Sequence, residues 1–135
     1  MKTRRKLTKA DYVARARFRH QLRLFERFTE EACSEQEITL AQYLLLLQVK
    51  GRPDREWALV GELSECLVLR HHSTVELVSR CEAAELVRRE QDPGDLRKVR
   101  VFLTPLGSKV VEAIARLHQE ELDQLLAHMG AVLEG

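Results

Sequence analysis

The sequence contains few cysteines, and their spacing does not suit a disulfide framework or a zinc cluster. Cys33, Cys66 and Cys81 are odd in number, and none of them belongs to a Cys-x-x-Cys pair. No two histidines are separated by three residues, the spacing that places two metal ligands on one helix face. The adjacent His71 and His72 would diverge by about 100° on a helix. We therefore predict no metal site and no cofactor.

Long apolar runs are lacking as well. The longest stretch without a charged residue, residues 38–49, is too short to cross a bilayer. The basic residues 1–6 are not followed by the apolar segment of a secretory signal. We therefore expect a cytoplasmic protein without a membrane partner. The chain also has no internal repeat and no flexible linker, which predicts a single domain over residues 1–135.

An excess of charge of one sign is the third absence. The formal net charge is +1, so composition alone does not favour nucleic-acid binding. The charges are nevertheless segregated along the chain. Residues 1–27 carry ten basic side chains against two acidic ones, whereas residues 28–66 carry three against eight. Any surface for an acidic partner must therefore be local.

The sequence does contain clear helix signals. Thr8 and Thr39 each begin a capping-box pattern, and Gly51 follows the second helix as a C-terminal cap. The apolar spacing behind Thr8 predicts a helix over residues 9–33. The inward stripe of the second helix is predicted to be Leu40, Leu44 and Leu47, broadened by Tyr43 and Leu46.

Two short helices follow, separated by a turn of a few residues. Val60, Leu63 and Leu67 recur at i, i+3 and i+7 and predict the first of them. The second has an apolar face made of Thr74, Leu77, Val78 and Cys81. Its outer face is polar and consists of His72, Ser73, Glu76, Ser79 and Arg80. This arrangement is typical of a helix-turn-helix.

A hairpin and a long helix complete the pattern. Alternation over residues 98–103 predicts a strand, residues 86–90 can supply its partner, and residues 92–95 have strong turn chemistry. A hairpin placed after the helix pair would be a two-stranded β-wing. Thr104 and Pro105 then begin a helix of about six turns, ~37 Å long. So small a domain cannot cover such a helix on every side, which predicts a partner subunit.

The ordered set of motifs resembles the MarR family (multiple antibiotic resistance regulators), bacterial winged-helix transcription factors. Two stretches within residues 38–107 carry the resemblance: "ITLAQYLLLL" and "VGELSECLVLRHHSTVELVSRCEAAELVRREQDPGDLRKVRVFLTPLG". The second is similar to the family's helix, turn, recognition helix, Asp-x-x-Asp-x-Arg wing and Leu-Thr-x-x-Gly exit. The resemblance implies a mostly α (α+β) fold, with a winged helix-turn-helix over residues 38–104 and dimerisation helices over residues 8–36 and 105–133.

The resemblance also implies a function. Members act as homodimers whose recognition helices enter successive major grooves of a pseudo-palindromic operator, while the wings reach the adjacent minor grooves. Many are repressors that release DNA when a small aromatic or phenolic effector binds, or when a cysteine is oxidised. Double-stranded DNA and a second copy of the chain are therefore the expected partners, and the bound protein would be associated with the nucleoid.

Carried over by position, the resemblance assigns two sets of DNA-contacting residues. The recognition helix contributes His71, His72, Ser73, Glu76 and Arg80, and the wing contributes Asp95 and Arg97. Positive charge adds Arg70 to the first set, as a phosphate contact, and Lys98 to the second. A neutral imidazole offers one donor and one acceptor to base edges, and a carboxylate suits the cytosine amino group. Arg97 suits a narrow minor groove, and Asp95 would orient a nearby arginine. The alternative for Glu76 and Arg80 is an ion pair on a solvated surface.

The cysteines and histidines allow two other functions, redox sensing and catalysis. Cys33 is predicted to be exposed among acidic neighbours that raise its pKa, whereas Cys66 and Cys81 are predicted to face inward, so redox sensing is disfavoured. A cysteine nucleophile paired with His72 would make the protein an enzyme. The cysteines are predicted to face inward and the histidines outward, so the two groups would not meet. The remaining alternative to a DNA-binding regulator is a winged-helix protein-interaction module that does not bind DNA.

Overall fold

The computed structural model describes residues 4–117 and 119–134, without the side chains of residues 131–134. The chain is divided into two compact units. The terminal unit consists of residues 4–31 and 119–134, and the central unit is Ala32–Leu117. Among the described residues, no helix combines the length and the apolar character needed to span a membrane.

The terminal unit is built from helices. It contains α1 (Lys9–Glu35) up to Glu31, and the last helix of the chain, Gln119–Glu134. The predicted capping box is present: Thr8 N–H donates to Asp11 Oδ2 at 2.7 Å, and Asp11 N–H donates to Thr8 Oγ1 at 3.3 Å. A long helix is expected after Thr104. The structure has a helix over Pro105–Leu117 and another over Gln119–Glu134, and residue 118 between them lies outside the described residues.

The central unit holds a helix pair and a small sheet. Its elements, in chain order after the end of α1, are α2 (Leu40–Lys50), β1 (Trp57–Leu59), α3 (Val60–Leu67), α4 (His71–Ala83), β2 (Val87–Gln91), β3 (Val99–Leu103) and α5 (Pro105–Leu117), so the last helix is α6. The antiparallel sheet has the order β1-β3-β2. The predicted two-stranded wing is the β2–β3 hairpin, and β1 is an additional strand that the sequence did not predict.

The core confirms the predicted inner face of α4. Thr74, Leu77, Val78 and Cys81 are all buried, as their spacing of three and four residues requires. The predicted inward side of α2 was right for Tyr43 and Leu46, which are buried, and for Leu40, which packs against the core, but it was wrong for Leu44 and Leu47. Leu44 and Leu47 are exposed, and the buried residues are Tyr43, Leu45, Leu46 and Val49. Four consecutive leucines provide no polar residue to mark the outer side, so periodicity alone could not select the face.

The predicted exposure of two cysteines was also wrong. Cys33 is buried, because the end of α1 enters the core of the central unit, whereas Cys66 on α3 is exposed. Cys81 is buried as predicted, and burial raises the pKa of its thiol to about 11. Cys81 is therefore a neutral thiol at physiological pH, which makes it a poor nucleophile.

Candidate nucleic-acid interface

The turn between α3 and α4 contains only Val68, Leu69 and Arg70. Val68 has the left-handed backbone conformation, with φ 55° and ψ 47°. Its N–H donates to the carbonyl oxygen of Glu65, and the N–H of Leu69 donates to that of Ser64. A β-branched residue in this conformation costs roughly 1–2 kcal/mol. The hydrogen bonds therefore hold a strained turn in one defined shape.

A pair of hydroxyl groups, one of them buried, joins the two helices. Ser64 Oγ on α3 lies 2.9 Å from Thr74 Oγ1 on α4, and Thr74 Oγ1 donates to the carbonyl oxygen of Arg70 at 3.1 Å. Thr74 is fully buried, where a hydroxyl without partners would be costly. The contact therefore favours a single crossing of α3 and α4, and it fixes the direction in which α4 points.

The first turn of α4 has no cap from the side chain at its N-cap. Arg70 occupies that position in an extended conformation, with φ −67° and ψ 152°. Serine, threonine, aspartate or asparagine normally accepts a hydrogen bond from the first turn, and arginine has no acceptor group. The N–H groups of His71, His72 and Ser73 are therefore available to an external anion, at the positive end of the helix dipole.

The predicted contact residues of α4 share an outward position. Arg70, His71, His72, Glu76 and Arg80 are exposed, and Ser73 is half-buried. Within the described part of the chain, none of these side chains forms a hydrogen bond or an ion pair. The alternative ion pair between Glu76 and Arg80 is therefore not formed there. The outer face of α4 carries donors and acceptors without partners among the residues that the structure describes.

Asp92 organises the loop between β2 and β3. Its Oδ2 accepts hydrogen bonds from the N–H groups of Gly94 and Asp95, both at 3.0 Å, and its Oδ1 accepts one from Arg100 Nε at 2.7 Å. The N–H of Asp92 donates to the carbonyl oxygen of Lys98 at 2.9 Å and closes the loop. The hydrogen bond from Arg100 lowers the pKa of Asp92, so its carboxyl group stays charged at neutral pH.

Asp95 contacts Arg97 within this loop. Its Oδ1 accepts hydrogen bonds from the backbone N–H and the Nε of Arg97, both at 3.1 Å. These bonds lower the pKa of Asp95. The side chain of Arg97 is 91% exposed and that of Asp95 is 29% exposed. The ion pair therefore holds an arginine in solvent at the tip of the wing, beside the exposed Lys98.

A groove of about 490 Å³ lies between the helix pair and the wing. Its lining includes three of the predicted residues, His71, Arg97 and Lys98, together with Glu62 and Glu65 of α3. The other predicted residues of α4 do not line it. Among the described residues, no group of three or more His, Cys, Asp or Glu side chains is placed to hold a metal ion.

Residues on and around β1 were missed at the sequence level. Arg55 and Trp57 stand two positions apart, the spacing of residues on one face of a strand. The composition of residues 52–55 predicts a loop, and residues 56–59 predict no element, because three strand residues are too few to show alternation. The available signals were the single tryptophan of the chain and Glu62, placed three residues after the helix boundary at Leu59. Leu59 N–H donates to Glu62 Oε1 at 2.8 Å.

Comparison with known proteins identifies the family. A family model described as the MarR family matches residues 36–98. The uncharacterized HTH-type transcriptional regulator YsmB of Bacillus subtilis is 31% identical over 104 residues, which is 77% of this chain and 69% of that protein. The chain belongs to the MarR family. The transcriptional regulator HosA of Escherichia coli O127:H6 is 32% identical over 114 residues, 83% of this chain and 82% of HosA.

Solved structures of MarR-family regulators have the same fold. AbsC of Streptomyces coelicolor has a TM-score of 0.76 at 21% identity, over 93% of this chain and 84% of AbsC. Sco3205 of the same organism, solved in complex with DNA, has a TM-score of 0.73 at 24% identity, over 90% and 77%. BpsR of Bordetella bronchiseptica, whose DNA binding is regulated by 6-hydroxynicotinic acid, has a TM-score of 0.69 at 18% identity, over 96% and 94%.

The family assignment confirms the predicted fold and class of function. This MarR-family chain is a winged-helix transcriptional regulator that binds DNA. Its relatives are named as regulators of transcription and not as enzymes.

Proposed function

We propose that this MarR-family regulator binds a pseudo-palindromic operator as a homodimer and represses transcription until a small aromatic or phenolic effector releases it. The observation that carries the proposal is the outer face of α4, whose exposed polar side chains have no partner in the described part of the chain. An exposed helix surface of this kind fits the major groove. A regulator of transcription acts where the DNA is, in the bacterial cytoplasm and at the nucleoid.

Base recognition is assigned to the first two turns of α4. His72 and Ser73 offer donors and acceptors to base edges, and Glu76 accepts from a cytosine amino group. Arg70 and Arg80 bind phosphate oxygens, and the uncapped N–H groups of the first turn support them. His71 lines the protein groove beside the wing. We therefore assign it to the DNA backbone between the major and the minor groove.

The wing is assigned to the minor groove. Arg97 is exposed to solvent while it is paired with Asp95, which suits insertion where A·T-rich sequence concentrates negative potential. Lys98 follows it and adds a phosphate contact. Asp95 does not touch DNA in this proposal, because its carboxylate would repel phosphate. Its role is to orient Arg97.

The terminal unit supports the proposed dimer. Its exposed large apolar side chains are Leu7, Tyr12, Leu24, Leu122, Leu126 and Met129. Five of them lie on α1 and α6, and Leu122, Leu126 and Met129 recur at i, i+4 and i+7 on one face of α6. An exposed apolar stripe of this kind marks a protein–protein contact surface. A twofold dimer would bury them and place two α4 helices at half-sites about 34–36 Å apart.

The effector proposal is drawn from BpsR, a structural neighbour whose DNA binding is regulated by 6-hydroxynicotinic acid. That molecule is a small hydroxylated aromatic acid. We assign the same chemical class to this chain and no binding residues.

A binding titration tests the proposal. The protein is titrated into duplexes selected by it from a random-sequence pool, at salt concentrations from 50 to about 300 mM. We expect two chains per duplex, by native mass spectrometry, and an affinity that falls steeply with salt because phosphate contacts release counterions. If no duplex is enriched and no binding occurs at the lowest salt, the chain is instead a winged-helix protein-interaction module.

A further inference from the structure

Trp57 on β1 is stacked by two arginine side chains. The guanidinium carbon of Arg100 lies 3.9 Å from the centroid of its ring, and that of Arg55 lies 4.3 Å from it. Trp57 also pairs with Phe102 across β1 and β3, with ring centroids 6.5 Å apart. Arg55 and Arg100 are 19% and 26% exposed. Cation–π contacts are strongest when the cation is removed from water, as these two are.

Arg55 connects this stack to the start of α3. Its two terminal nitrogens donate to the two carboxylate oxygens of Glu62 at 2.7 and 2.5 Å. Glu62 lies in the first turn of α3 and also accepts the N–H of Leu59 at 2.8 Å. Arg52 donates to the same carboxylate at 2.9 Å. A bidentate pair of this kind fixes the orientation of the guanidinium group as well as its position.

Arg100 connects the stack to the loop of the wing. Its Nε donates to Asp92 Oδ1, and the other oxygen of Asp92 holds the N–H groups of Gly94 and Asp95. Asp95 in turn holds Arg97. The contacts therefore run without interruption from α3, through the ring of Trp57, to the arginine at the tip of the wing.

We propose that Trp57 is a positioning residue that couples the wing to the helix pair, so that Arg97 is held at a fixed place relative to α4. A two-stranded hairpin alone is only marginally stable, and a hairpin that extends beyond the core needs a second attachment. The stack supplies this attachment through side chains, beyond the three residues of β1 that pair with β3. The inference rests on the proposed role of Arg97 in DNA binding.

A double-mutant cycle on DNA tests the coupling. The duplex is one selected by the wild-type protein from a random-sequence pool. We expect Trp57→Leu to weaken binding about five- to tenfold. The tenfold or larger loss from Arg97→Ala should shrink to less than about threefold in the Trp57→Leu background. Trp57→Phe, which keeps an aromatic face, should retain most of the coupling.

The matched control is Arg88→Gln. Arg88 also stacks on an aromatic ring of the same sheet, that of Phe102 at 4.2 Å, but its ion pair is with Glu90 on its own strand. It therefore lies off the path to α3, and the effect of Arg97→Ala should be unchanged in the Arg88→Gln background. Equal losses from Arg97→Ala in the wild-type and Trp57→Leu backgrounds would overturn the proposal.

Hydrogen exchange tests the same coupling without DNA and without the proposed function. Trp57→Leu should accelerate exchange of the backbone amides of residues 92 and 94–98 by tenfold or more, while the amides of α4 keep their protection. If Trp57→Leu does not fold, Arg100→Gln replaces it, since the variant keeps the ring and breaks both contacts of Arg100. Unchanged exchange in the wing would contradict the proposal, even if the wild-type protein bound no DNA.

Discussion

The first turn of α4 and the loop of the wing both present polar groups to solvent, but they are built in opposite ways. The side chains at the start of α4 have no partner in the described part of the chain. In the wing, the side chains of Asp92, Asp95, Arg97 and Arg100 form six hydrogen bonds, and in three of them a backbone N–H group of the loop donates to Asp92 or Asp95. The start of α4 therefore has a fixed backbone and exposed side chains without partners among the described residues, whereas the wing loop has its backbone and its side chains held by hydrogen bonds.

The difference suits two kinds of DNA contact. Base recognition needs donors and acceptors that are free until the right base pair satisfies them. An arginine that inserts into the minor groove has to hold its charge at a fixed depth. When contacts within the protein already hold the side chain in place, less conformational entropy is lost on binding. In the proposed function, this difference corresponds to base recognition by α4 and to affinity that depends little on base identity from the wing.

The largest expected effect is a loss of stability, caused by a substitution at Gly107, which packs against the residue before the wing. A Cβ added at Gly107 on α5 would lie 2.0 Å from the carbonyl oxygen of Leu86, directly before β2. Because backbone cannot move aside cheaply, Gly107→Ala should destabilise the protein by about 2–3 kcal/mol. Urea denaturation measures this loss. Gly61→Ala on α3 is the control: nothing lies within 4 Å of its added Cβ, and we expect no loss or a gain of up to about 1 kcal/mol.

The next effect concerns affinity. Arg97→Ala should weaken binding to all duplexes by tenfold or more, which is about 1.4 kcal/mol, and should lower the salt slope by about one. Fluorescence anisotropy at several salt concentrations measures both quantities. Arg116→Ala, an exposed arginine on α5, is the control and should leave them unchanged. A loss restricted to certain sequences would assign base recognition to the wing.

A smaller effect concerns sequence preference. His72→Ala should change which duplexes are enriched from a random pool, with a loss of about fivefold on the preferred sequence and little loss on unrelated ones. Sequencing of the bound fraction measures the preference. A uniform loss on every duplex would mean that His72 contacts only the backbone, and the contrast between α4 and the wing would then disappear.

The smallest effect is a pH-dependent loosening of the wing. The pKa values of Asp92 and Asp95 are lowered in the folded protein, so their contribution to stability is present above the ordinary aspartate pKa of 3.8 and is lost as pH falls through the lower folded values. NMR titration from pH 5 to 2 should shift the amide signals of Gly94 and Arg97 with midpoints below 3.8. Asp92→Asn should abolish the shift at Gly94. Midpoints at or above 3.8 would contradict the ion pairs.

Local patterns predicted much of the fold. The inner face of α4 and the caps at Thr8 and Thr39 depend on residues three or four positions apart, so the sequence displays them directly. The hairpin was predicted equally well, because turn residues stand between its strands. These are the features for which neighbouring residues determine the structure.

Non-local contacts were not predictable in this way. β1 exists because Trp57 pairs with Phe102, 45 positions later, and no neighbour of Trp57 indicates that partner. Cys33 is buried by a core that residues from later in the chain complete, whereas Cys66 continues the pattern of α3 but faces outward. For the site, the exposed residues of α4 and the wing were located by pattern, while the path from Glu62 to Asp92 required the fold.

Cross-link mapping tests the central contrast most directly. A photo-reactive amino acid is introduced at position 72 and, separately, at position 97, and each protein is irradiated on the duplex that the wild type selects. We expect position 72 to cross-link to base edges in the major groove at two half-sites about one helical turn apart, and position 97 to flanking minor-groove positions. Cross-links from both positions to the same nucleotides, or none from position 72 on a duplex that the protein protects, would contradict the account.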